Sequence, residues 1–113
     1  MRKGKARWVA AAALVATSAA ATDLDTAKLD EARSLVAEAV LIEQYQRSGR
    51  ITATYAEALR HDLRDGLVKL KKEQALAGPA QAALDALDRH DAVALAAIRD
   101  RLVAQERSLG RAG

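Results

Sequence analysis

The sequence predicts an all-α protein: a long antiparallel helical hairpin with two shorter C-terminal helices, preceded by a signal peptide. Three observations carry this. Beyond residue 21 the chain is dominated by Ala, Leu, Arg, Asp and Glu, with one proline and few β-branched residues, a composition of helix formers. Its apolar residues recur at steps of three and four, as one face of a helix requires. Its strongest breakers, Ser48-Gly49 and Gly78-Pro79, divide it into pieces of helix length.

The stretch Thr54–Gln74 organises this expectation. Thr54 and Glu57 have the spacing of a capping box. Tyr55, Leu59, Leu63, Leu67 and Leu70 form an apolar row, and Gly66 on the same face lets a partner helix approach. Glu57, His61, Asp65 and Lys72 occupy the opposite face. Gly78-Pro79 is expected to end the element, because proline lacks the amide that a helix interior uses.

The first 21 residues read differently. Arg2, Lys3, Lys5 and Arg7 are followed by the uncharged run Trp8–Ala16 and then by small residues up to Ala21. Basic, apolar, small is the order of a secretory signal peptide. Cleavage after Ala19, Ala20 or Ala21 meets the small-residue requirement, and domains are assigned as 1–21 and 22–113. Trp8 to Ala21 is shorter than the roughly 20 residues of a spanning helix. A tethered protein, the only route to a membrane partner, would need this segment to stay uncleaved. The expected location is the periplasm or the exterior, by a Sec-type route.

Export changes the charge argument. The whole chain has 18 Lys and Arg against 15 Asp and Glu, a net charge of +3. Four of the 18 leave with the signal, so 14 remain against 15, a net charge of −1. The basic character belongs to the targeting segment. With Tyr45 and Tyr55 as the only aromatic residues left, little remains to stack on bases, and no nucleic-acid partner is expected. No cysteine is present to staple the domain.

The first helix is expected over Ala27–Arg47, with Leu29, Ala32, Leu35, Val36, Ala39 and Ile42 facing inward and Gly49 as the left-handed residue after it. Leu41 and Tyr45 form a second apolar strip, which either packs against the C-terminal helices or forms a seam for a second copy or a protein partner. The short link Arg50–Ala53 requires antiparallel helices. Residues 22–46 carry six acids and two bases and residues 47–78 seven bases and four acids, which favours the same pairing; Lys69, Lys71 and Lys72 would face the acidic start of the first helix. Then come Ala80–Arg89, with Pro79 at its first position, and Ala92–Ser108, capped by Asp91 after a break at His90-Asp91. The tail from Ser108 is expected to fray.

Few side chains suggest chemistry. Glu57, His61 and Asp65, four apart on one face, have the spacing to share a divalent metal, but the same pattern describes a solvated polar face flanked by Arg60 and Arg64. A metal site would normally add a ligand from a second element, and His90-Asp91 is the obvious donor pair. No serine sits in a strained glycine turn and no glycine loop could cradle phosphate, so no enzyme, catalytic residue or cofactor is expected. The plan resembles that of small periplasmic helical proteins, including helical-hairpin chaperones and metal-stress sensors. The chaperones' repeated Leu-Thr-x-x-Gln motif is absent, and the resemblance carries no residue across. The sequence therefore points to an exported helical binding or accessory protein, with a metal-responsive sensor or carrier, or a membrane-tethered protein, as alternatives.

Overall fold

The computed structural model describes residues 26–112, so the signal-peptide assignment at 1–21 lies outside the described residues. The described chain is all-helical: α1 (Thr26–Arg47), α2 (Ala53–Leu70), a 3-10 turn (Gln74–Leu76), α3 (Ala77–Asp88) and α4 (Ala92–Ala112). Each helix packs on the next in chain order, and α4 closes back on α1 through the largest interface in the bundle. No helix among the described residues is long and apolar enough to cross a membrane.

The turns explain why each helix stops. After α1, Arg50 N–H donates to Tyr45 C=O at 2.8 Å and Gly49 N–H to Gln46 C=O at 3.1 Å, with Gly49 at φ 75°. This is the expected left-handed C-terminal cap, at a position glycine occupies without Cβ strain. The same motif ends α3: Asp91 N–H donates to Ala86 C=O at 2.9 Å and His90 N–H to Leu87 C=O at 3.1 Å. Here the left-handed residue is His90, at φ 55°. The expected break at His90-Asp91 is therefore present, and Asp91 Oδ1 accepts from Ala94 N–H at 3.0 Å as the cap of α4.

Several expectations are corrected. The cap of α2 is Thr52, whose hydroxyl accepts from Tyr55 N–H at 3.1 Å. With the helix begun at Ala53, Thr54 lies inside its first turn and the Thr54–Glu57 box does not form. The buried row of α2 is Ala56, Arg60, Leu63, Leu67 and Leu70; Tyr55 is 56 % exposed. The helix stops at Leu70 rather than Gln74, because the following turn drops Leu76 into the core, fully buried. Gly78-Pro79 does not terminate anything: Pro79 is the third residue of α3, where an amide has no intrahelical partner to lose. The last helix is not short. It runs 21 residues, against 22 for α1, and continues through Ser108 instead of fraying there. Nor is Thr54–Gln74 the organiser. It is α1 that packs against all three other helices.

The core is aliphatic. Leu29, Val36, Leu67, Leu70, Leu76, Leu87, Leu95 and Leu102 are its largest fully buried side chains, interleaved with buried alanines such as Ala39, Ala56, Ala83 and Ala86. Small residues let the helices approach closely, and Gly66 shows it: a Cβ built there would lie 2.9 Å from Leu35 Cδ1. Leu35 on α1 facing Gly66 on α2, with Glu43 facing Arg60 nearer the connection, sets α1 and α2 antiparallel. Arg33 reaching Glu106 at 3.0 Å, together with His90 just before α4 lying 3.4 Å from Glu43 near the end of α1, does the same for α1 and α4. Because the crowding atom is the end of a flexible, half-buried leucine, Gly66→Ala is expected to leave stability within about 0.5 kcal/mol, the helix-propensity gain of about 1 kcal/mol offsetting the displaced methyl. Gly66→Leu is expected to destabilise by about 1–3 kcal/mol through overpacking. Urea unfolding followed by circular dichroism measures both.

Candidate functional site

The densest polar arrangement gathers where α1 ends, α2 begins and α3 turns into α4. Glu43 and Arg60 stand at core-facing positions of their helices and are 5 % and 2 % exposed. Arg60 Nε donates to Glu43 Oε2 at 2.7 Å and Arg60 Nη2 to Glu43 Oε1 at 3.1 Å, a two-pronged contact that matches the guanidinium fork to the carboxylate. Arg60 also donates to the Gln46 side-chain oxygen and, at 3.3 Å, to Glu57 Oε2. Hydrogen bonding by Glu43 raises the Arg60 pKa from its already high ordinary value, so the side chain stays cationic despite its burial.

Around this pair the network reaches further helices. Arg64 bridges Glu57 Oε1 at 3.1 Å and Asp88 Oδ1 at 3.0 Å, joining α2 to the end of α3. The Arg64 hydrogen bond, helped by Arg60, holds the Glu57 carboxyl below the usual carboxylate range. His90 places Nδ1 3.4 Å from Glu43 Oε1. No buried polar side-chain atom among the described residues lacks a hydrogen-bond partner. The cluster is thus closed upon itself: its cations already hold its carboxylates.

The proposed metal residues lie at the rim. Gln46, Glu57, Arg60, His61 and His90 line one shallow, open depression, so the two histidines of the chain share a surface. The geometry within it is dispersed. Glu57 is turned towards Arg60 and Arg64, while His61 Nε2 sits 3.9 Å from Asp65 Oδ2, both side chains well exposed. Among the described residues no three His, Asp or Glu side chains are grouped closely enough to hold a metal ion.

Leu41 and Tyr45 are on the solvent side of α1, 45 % and 38 % exposed. They do not pack under the C-terminal helices. Arg50 stacks over the Tyr45 ring, 5.6 Å from its centroid, a cation–π contact. Ser34 and Ser48, each seven residues from Leu41, are exposed beside them and add no charge. Of the acids expected opposite Lys69, Lys71 and Lys72, Asp30 and Glu31 pair within α1 with Arg33 and Lys28; Asp23 and Asp25 lie outside the described residues.

No protein-family model matches this chain. Searches of curated proteins and of solved structures likewise gave no match.

The periodic pattern carried a signal for the buried pair. Glu43 continues the row Leu29, Ala32, Val36, Ala39 by steps of three and four, and Arg60 falls between Ala56 and Leu63 in the buried row of α2. Opposite charges at core positions on two helices, close to their shared loop, mark a buried ion pair. Arg60→Ala is expected to destabilise by about 3 kcal/mol or more, because Glu43 is left as an uncompensated buried charge, whereas the double variant Glu43→Leu, Arg60→Met recovers most of that loss. Chemical unfolding of the two variants beside the parent tests this.

Proposed function

We propose that the chain is an exported, non-enzymatic helical binding protein, in which the α1–α2 hairpin presents a helix face to a protein, either a second copy or a separate partner. The observation that carries this reading is the exposed pair Leu41 and Tyr45. Both are large apolar side chains one helical turn apart, on the face of α1 directed away from the core. Tyr and its stacked Arg are residue types that contribute strongly at interfaces. The polar cluster around Arg60 supports the non-enzymatic part, since its charged groups are engaged with one another. Export rests on the order of residues 1–21.

Two experiments test the reading. After expression of the whole gene, intact-mass measurement on cell fractions is expected to give a soluble exported product beginning near Thr22; a full-length cytosolic protein would overturn export. Light scattering and crosslinking then compare the parent with the double variant Leu41→Asp, Tyr45→Ser. The expected result is loss of self-association or of the crosslinked complex with helicity unchanged. Unfolding of the variant would instead assign the strip to the fold, and a parent that neither self-associates nor crosslinks would remove the proposal.

A further inference from the structure

On the other side of the bundle, α3 and α4 leave a cleft of about 290 Å³ between them. Its cause is side-chain size. The α3 wall consists of Pro79 and Ala82 beside Gly78, none of which reaches far across, while α4 contributes Ile98 and Leu102, which are buried in the core at its base. Two polar side chains of α4 stand at the same cleft, Arg101 and Gln105. Arg101 is exposed and, like Arg47, Arg50 and Arg107, has no acidic partner among the described residues, whereas Arg33, Arg60, Arg64, Arg89 and Arg99 are each paired; of the unpaired arginines it is Arg101 that lines this cleft. No carboxylate lines the cleft.

We propose that this cleft binds a free aliphatic carboxylate of medium chain length. The alkyl chain lies against Pro79, Ala82, Ile98 and Leu102. The carboxylate accepts hydrogen bonds from the Arg101 guanidinium, which presents the planar fork such a group fits, and from the Gln105 amide. Charge selects this class: an unpaired cation in a cleft lined by no carboxylate favours an anionic head and disfavours an amine. Volume limits the tail. The cleft is at the lower end of the roughly 300–1,000 Å³ of small-molecule sites, which suits decanoate and excludes a sterol or a two-chain lipid. The inference is independent of the Leu41–Tyr45 strip, which lies on α1.

The test is a titration of the full chain with decanoate, kept below its aggregation concentration, followed by the methyl resonances of Ala82, Ile98 and Leu102. Saturable 1:1 binding is expected, with those methyls shifting together. Decanol, which keeps the tail and lacks the charge, is expected to bind at least about tenfold more weakly, as is decanoate to Arg101→Gln, in line with the strength of a charge-assisted hydrogen bond. Ala82→Leu, which fills the cleft, is expected to abolish the shifts while circular dichroism confirms the fold. Absence of saturable binding overturns the proposal, as does equal affinity for decanol, for Arg101→Gln or for Ala82→Leu.

Discussion

Glu43 and Arg60 are the two charged side chains that the described bundle buries, and the junction of α1, α2 and the α3–α4 turn is built around their contact. Removing two charges from water is costly, and their attraction repays this only when the geometry is good and the remaining hydrogen-bonding capacity is used. Both conditions hold here. The fork-to-carboxylate contact is two-pronged, Gln46 and Glu57 take further guanidinium donors, and His90 lies against the second carboxylate oxygen. Such a pair adds little net stability over an apolar replacement of the same volume, but breaking it leaves an uncompensated buried charge. Helices lined with Ala and Leu can slide along each other by a turn at modest loss of apolar burial. A slip of that size here would separate Arg60 from the Glu43 carboxylate and leave both charges buried without each other.

The same constraint bears on the third connection. His90 occupies a left-handed position that glycine would adopt at lower cost. Its ring contributes something glycine cannot, a contact to the buried Glu43 carboxylate from a separate part of the chain. Arg64, reaching from Glu57 to Asp88, ties the end of α3 to α2 in the same region. One end of the bundle is therefore specified by a buried polar cluster, while the remainder is held mainly by aliphatic packing with α1 at its centre, with the part-buried Arg33–Glu106 pair between α1 and α4. This division leaves the outward face of α1 and the polar rim of the α3–α4 cleft, Arg101 and Gln105, outside the core, and both proposed contact regions fall there.

Much of the helical architecture was legible before the fold was known. Gly49 as the end of α1, the break at His90-Asp91 and the Asp91 cap all follow from local backbone chemistry, which depends on a few neighbouring residues and acts in the same way in any fold. Caps and boundaries are ambiguous where two local signals compete. Thr52 and Thr54 are both competent caps, and the choice between them shifts the start of α2 by two residues. Pro79 reads equally as a terminator and as a first-turn residue, because both roles use its missing amide. The candidate metal trio was legible as a spacing, but whether its carboxylates would be free depended on Arg60 and Arg64, whose directions are set by neighbouring helices.

By itself, then, the sequence determined that the chain past the leader-like segment is helical, where most of the turns fall, and which aliphatic rows could meet. Only the tertiary structure decided that α1 rather than α2 is the hub, that Arg60 and not Tyr55 faces inward, and that Leu41 and Tyr45 face out. The physical reason is the breadth of a helix face. Ala56 and Tyr55 differ by about 100° around the helix, and an alanine-rich sequence supports either phase. Burial of one phase is chosen by what lies opposite, and in this protein the side chain opposite is Glu43.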